Sequence, residues 1–210
     1  MIGLLDIGGT KLAAATSTEP GALRAVHRMP TPAGEPMEAL TVLLDRALDG
    51  GQPAAIGVSL PGPFDRAGGA LIDPPGMPPG WHGLRVGDGL RQHYGCPVVV
   101  ENDANSAALA EATWGAGAGS RTVLYFTVST GIGTGVVRDR VLCTGRHDTE
   151  GGHQVLWPRW LGGPECHCGG AGCLEALASG LAIERRFGVR AESLDDAAAW
   201  EDVGLWLGLG

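Results

Sequence analysis

The sequence predicts an α/β fold in two lobes, and three observations carry that prediction. Two segments, "MIGLLDIGGTKLAAATS" and "TVLYFTVSTGIGTGVVRDRVL", each read as strand, tight glycine turn and second strand. Between them, the apolar strand "CPVVVE" runs directly into the helix "NDANSAALAEATWG". Past the second strand pair the chain turns helical, in "LEALASGLAIERRFG" and "SLDDAAAWEDVGLWLG". The stretch "AGAGS" marks the boundary, giving lobes at 1–117 and 118–210.

The remaining elements follow in order. "ALRAVHRM" reads as a third strand. "EPMEALTVLLDRALDG" has helical spacing, with Met37, Leu40, Leu44 and Leu48 on one face and glycine at its end. "AAIGVSL" reads as a buried strand and "PGPFD" as a turn, and "DPPGMPPGWHG" is too rich in proline and glycine for anything but a surface loop. No repeat of solenoid period is present. The last helix ends in "LWLGLG" without a capping polar segment, the pattern of a chain cut mid-fold.

At 210 residues the chain can bury a sizeable core. Its net charge is −8, Lys11 is its only lysine, and no basic block occurs. Nucleic-acid binding, which rests on clustered Lys and Arg, is therefore not expected. No apolar run reaches membrane-spanning length, and no signal peptide pattern opens the chain, so a cytoplasmic location is the default expectation. Thiols stay reduced there, which disfavours disulfides.

Four segments carry chemistry. In "DIGGTK", Asp6 ends a strand and Gly8, Gly9 and Thr10 leave N–H groups and a hydroxyl free to face an anion, with Asp6 placed to hold hydrated Mg²⁺. A simple solvated hairpin turn is the competing reading. The second glycine turn, "STGIGTG", is followed by β-rich sequence rather than a helix, which excludes a Rossmann phosphate turn, and it lacks the Walker Gly-Lys-Ser/Thr. Two such turns together suggest two lobes gripping one polyphosphate.

In "VVVENDANSAALAE", Asn102 and Asp103 fall where strand meets helix. A helix cap needs one Asn or Asp, whereas Glu101, Asn102, Asp103 and Asn105 crowd this turn. A carboxylate on a rigid strand end suits a general base for a hydroxyl nucleophile. In "TEGGH" and "PECHCGGAGCLE", His153, Cys166, Cys168 and Cys173 form a Cys₃His set suited to tetrahedral zinc. With four protein ligands such a zinc is structural. The CxC spacing fits neither a zinc finger nor a CxxC redox pair. His147 and His167 are competing ligands, Glu150 and Glu175 flank the site, and Cys96 and Cys143 read as buried free thiols.

In this order, "LDIGGTK", "VVVENDANSAALAE", "STGIGTG" and "EGGH…CHCGGAGCLEA" resemble the motifs of the ROK sugar kinases, in the actin/hexokinase-like superfamily. The resemblance implies an actin-like ATPase (ribonuclease H-like) fold with its second lobe incomplete. It also implies ATP, Mg²⁺ and structural Zn²⁺, and glucokinase-like phosphorylation of a hexose or hexosamine hydroxyl. By the same resemblance Asp103 is the base, and Asn102, Glu150, His153 and Glu175 contact the sugar. Asp6, Gly8, Gly9, Thr10, Lys11, Thr130 and Gly131 match the phosphate and Mg²⁺ region, and a homo-oligomer is expected.

The chain departs from the family pattern in three places. Gly76 and Met77 stand in the proline-rich loop where family enzymes carry an Asn, and Thr149 replaces the glycine before "EGGH". The last glycine-rich segment of the family, which packs on adenosine, is absent. A sugar-binding or regulatory derivative of the kinase is therefore the alternative. The DNA-binding repressor branch would need a helix-turn-helix ahead of the first strand.

Overall fold

In the computed structural model, which describes residues 1–66, 68–74, 76–144 and 148–210, the first glycine turn joins two antiparallel strands. These are β1 (Ile2–Ile7) and β2 (Lys11–Ser17), with Ile7 opposite Leu12. β3 (Arg24–Pro30) continues the meander. Helix α1 (Pro36–Leu48) then buries Leu40, Leu43, Leu44, Ala47 and Leu48. Proline at its start and left-handed Asp49 at its end set its limits. β4 (Ala55–Leu60) returns parallel to β1.

The region 61–102 departs most from expectation. The expected turn "PGPFD" instead feeds a two-residue hairpin of β5 (Phe64–Asp65) and β6 (Ala70–Leu71). Among its described residues the proline-rich segment is not a surface loop: it holds a 3-10 turn (Pro79–Trp81), Trp81 is fully buried and donates its indole N–H to the Pro32 carbonyl at 2.8 Å, and Met77 joins the same core. Proline and glycine limit regular backbone there to that one turn, yet an indole's large apolar area still favours burial. Helix α2 (Val86–Tyr94) follows, carrying Gly87 and Gly89 and burying only two large side chains, so its sequence pattern is faint. β7 (Val98–Asn102) is a sheet edge with Val99 68% exposed, and is therefore half-buried rather than fully buried. The sheet order is β3-β2-β1-β4-β7, with β4 and β7 parallel.

The described residues form two compact units, Met1–Ser106 and Ala107–Gly210. The division falls inside α3 (Asp103–Trp114), ahead of "AGAGS", because Ala108 and Ala112 pack with Val137 of the second unit. That unit contains an antiparallel sheet of order β10-β9-β8, built from β8 (Thr122–Val128), β9 (Ile132–Arg138) and β10 (Val141–Leu142). A 3-10 turn (Gly151–His153) leads through the cysteine segment to α4 (Leu174–Ala178), α5 (Gly180–Phe187) and α6 (Ala197–Leu209). One helix was expected where α4 and α5 stand. Ser179 breaks it, its extended backbone ending α4 while its Oγ accepts the Ala182 N–H to cap α5. Ile132, Leu174, Ala178, Ile183 and Val203 form the second core. Among the described residues, no helix is long and apolar enough to cross a membrane.

Candidate functional site

At the β7–α3 junction the four crowded polar residues divide their tasks. Asn102 is the cap: its Oδ1 accepts the Asn105 N–H at 3.1 Å. Glu101 is a buttress, taking Arg66 on both oxygens at 2.7 and 2.8 Å. The same carboxylate accepts the Asn102 N–H at 2.8 Å and the Asn105 amide at 3.1 Å. Burial would raise its pKa, but the guanidinium and these N–H donors outweigh burial and hold it below its ordinary value.

Asp103 is engaged far less. One oxygen accepts the Ala104 N–H at 2.8 Å, and the residue as a whole is open to solvent. Desolvation of the carboxyl, followed by the negative charge of Asp6, raises its pKa above the ordinary value. The sign matters for any catalytic role. A base works only when ionised, so activity carried by Asp103 falls as pH drops through a pKa above the ordinary value of about 3.9. A kcat/KM profile with its acid limb above that value is the expected result, and a profile flat down to about pH 4 would contradict it.

The first glycine turn sits near this junction in the same unit. Gly8 donates its N–H to the Lys11 carbonyl at 3.0 Å. Thr31 grips the turn with its hydroxyl on the Gly8 carbonyl at 2.6 Å and its N–H on the Thr10 carbonyl at 3.0 Å. A side chain at Gly9 would collide with the backbone of Gly76, so the proline-rich segment packs directly on this turn. Asp6, Thr10 and Lys11 are left exposed.

In the second unit, the histidine and three cysteines converge. His153 Nδ1 lies 3.6 Å from Cys166 Sγ, Cys168 Sγ lies 3.7 Å from Cys173 Sγ, and all four ligand atoms fall within 4.8 Å of one another. A tetrahedron with Zn–S bonds of about 2.3 Å has edges of about 3.8 Å. The residues therefore fit zinc. Burial, then hydrogen bonds with Cys168 and Cys166, push the Cys173 thiol up to about 12. Glycine makes the close folding possible, since side chains at Gly163 and Gly172 would collide with the Trp157 carbonyl. Cys143 is exposed and Cys96 half-buried, so neither is the buried thiol expected. β10 is a two-residue strand beside Cys143 and gives it no cover.

His147 lies outside the described residues. His167 projects from between two cysteines to bring Nδ1 within 3.0 Å of Glu175 Oε1. His153, His167 and Glu175 also lie within 4.8 Å of one another, but the sulfur-rich set is the better match to zinc. Glu150 opens the 3-10 turn, its carbonyl accepting the His153 N–H at 2.9 Å and its side chain exposed. Thr149 belongs to a pairing with β9, its carbonyl accepting the Thr134 hydroxyl. Glu175 is buried, and its Oε2 accepts the Ile132 N–H at 2.8 Å. Thr130 and Gly131 lie on the three-residue turn between Val128 and Ile132.

Sequence reasoning missed Arg66, Thr31 and the Glu175–Ile132 bond. Each joins residues far apart in the chain, and nothing local signals them.

The ROK family profile matches residues 2–202. The glucokinase of Thermotoga maritima is 37% identical over 187 residues, covering 86% of this chain and 58% of that enzyme. The crystal structure of a ROK hexokinase from Thermus thermophilus matches with a TM-score of 0.86 at 38% identity, over 99% of this chain and 74% of that one. A ROK family glucokinase from Streptomyces griseus, solved in complex with glucose and AMPPNP, matches with a TM-score of 0.75 at 34% identity, over 100% and 65% of the two chains. The chain spans about three-fifths of the length of the curated relatives it matches. With the fold of the ROK hexokinases, in the actin-like ATPase superfamily, and a family match running through both units, the chain belongs to the ROK family.

Proposed function

We propose that the chain serves ATP-dependent phosphorylation of a hexose or hexosamine hydroxyl, in the manner of a glucokinase, with Asp103 as the general base. The observation that carries this reading is the division of labour at the β7–α3 junction. Asn102 caps and Glu101 buttresses, leaving one accessible carboxylate with a raised pKa at a rigid strand end. In the reaction Asp103 accepts the sugar hydroxyl proton as that oxygen attacks the γ-phosphorus, and ADP departs with the bridging oxygen.

In the first unit Asp6, Gly8, Gly9, Thr10 and Lys11 are assigned to phosphate and Mg²⁺, and in the second Thr130 and Gly131 to phosphate. Asp6 would hold Mg²⁺, which neutralises phosphate charge. Asn102, Glu150, His153 and Glu175 are assigned to the sugar. His153, Cys166, Cys168 and Cys173 would hold Zn²⁺, whose contribution is rigidity of the glycine-rich loop. A cytoplasmic, homo-oligomeric setting belongs to the same reading.

A second reading, a sugar-binding or regulatory protein derived from the kinase, is favoured by one observation. The proline-rich loop carries Gly76 and Met77, and the Met77 side chain is buried in the core, with no amide offered to a sugar. Calorimetric titration separates the two, with glucose, mannose and N-acetylmannosamine tested apart from AMPPNP. Binding of a sugar and of AMPPNP supports the kinase. Sugar binding without AMPPNP supports the second reading, and binding of neither overturns both.

A further inference from the structure

The chain leaves β4 beside the β7–α3 junction and comes back to it through one side chain. Leu60, the last residue of β4, lies opposite Asn102 in the parallel register, and the β5–β6 hairpin follows. Two contacts seat that hairpin. Phe64 is buried in the core of the first unit, and a side chain at Gly69 would collide with Val100 of β7 and the backbone of Gly87 in α2. From there Arg66 reaches the junction: its guanidinium lies over the Phe64 ring, 5.3 Å from the centroid, and grips both oxygens of Glu101. Glu101 in turn holds the backbone on either side of Asp103. Its Oε1 accepts the Asn102 N–H just before that residue and the Asn105 side-chain amide in the first turn of α3. The Asp103 carboxylate bonds locally, to the adjacent Ala104 N–H, so its position is inherited from the backbone around it.

We propose that Arg66 is a positioning residue for phosphoryl transfer: acting through Glu101, it fixes the β7–α3 backbone and so sets where the Asp103 carboxylate meets the sugar hydroxyl. The proposal rests on the reading of Asp103 as the general base. Its physical basis is the fork of the guanidinium. Two parallel charge-assisted bonds fix the plane of the Glu101 carboxylate, where a point charge would fix only its distance. With that plane free to turn, the two N–H donors on Oε1 lose a fixed acceptor, and a displacement of about 1 Å at a reacting group costs up to about a hundredfold in rate. The Arg66 and Glu101 side chains are 41% and 19% exposed, so the pair adds little to global stability. Its loss is therefore felt in catalysis before it is felt in folding.

The test uses the 210-residue chain with Arg66→Ala, Arg66→Lys and Glu101→Gln. Arg66→Ala should lower kcat about tenfold, with sugar KM within about threefold and Tm within about 2 °C of the unmodified chain. By NMR, the Asn102 amide should exchange about tenfold faster while that of Val58 in β4 is unchanged. Arg66→Lys restores the charge without the fork and should recover part of the lost kcat; recovery of none counts against the proposal. In a Glu101→Gln background, Arg66→Ala should lower kcat by less than about twofold more, because the path runs through Glu101. A further loss of about tenfold in that background overturns the proposal, as does unchanged kcat or unchanged Asn102 exchange in Arg66→Ala. A kcat loss accompanied by a Tm fall of about 10 °C or more also overturns it, since the role would then be structural. Should Arg66→Ala fail to fold, Arg66→Met keeps an apolar stem over Phe64 without a donor and gives the same readings. Exchange needs neither ligand nor turnover. In a chain without turnover the base reading fails by itself; faster Asn102 exchange in Arg66→Ala then upholds the hold of Arg66 on the junction, and unchanged exchange overturns it.

Discussion

Asp103→Asn is expected to lower kcat by about a thousandfold and to leave sugar affinity within a few-fold of the unmodified chain. Asparagine has the same shape and keeps an oxygen for the Ala104 N–H, so the β7–α3 junction is preserved. What it lacks is a lone pair basic enough to take the hydroxyl proton. The neighbouring polar residues cannot substitute. Glu101 is neutralised by Arg66, and the Asn102 oxygen is committed to the Asn105 N–H. Single-turnover rates beside sugar titrations check the split. A kcat within threefold of the unmodified chain would remove Asp103 from the chemistry.

Cys168→Ser is expected to produce the second large effect, on folding as well as on metal content. Cys168 is the exposed member of the cluster, so serine there disturbs little packing and mainly removes a thiolate. The cysteine segment has almost no hydrophobic core of its own, with Cys166, Cys173 and Ala176 forming a cluster by themselves. Metal-binding energy is folding energy in such a loop. A loss of about 3 kcal/mol, or roughly 10 °C in Tm, is expected together with a fall in bound zinc below one per chain. Elemental analysis and thermal unfolding measure both. Zinc near zero in the freshly purified, unmodified protein would contradict the metal site.

The parts of the fold legible in the sequence are those set by local rules. Both glycine turns join antiparallel strands as expected, because apolar runs flanking a glycine turn permit little else. The Cys₃His set is legible from its donor types, since four soft donors within 21 positions have few other uses even where the CxC spacing matches no known finger. The hidden parts depend on distance or on compromise. Arg66 meets Glu101 across 35 residues, and Ile132 meets Glu175 across 43, beyond any periodicity. Helix α2 carries two internal glycines and a narrow apolar face, which blurs its signal. Trp81 is hidden by its company: proline and glycine predict irregular backbone, which ordinarily lies at the surface, whereas this indole is buried. Ser179 ends one helix and starts the next within a run whose apolar spacing reads as one.

The most direct test of sugar-kinase function is ADP release from ATP and Mg²⁺ by the unmodified chain across a panel of hexoses and hexosamines, with the sugar phosphate identified by ³¹P NMR. Stoichiometric ADP and sugar phosphate with at least one sugar, abolished in Asp103→Asn, is the predicted result. Absence of sugar-dependent turnover with every member of the panel would contradict it.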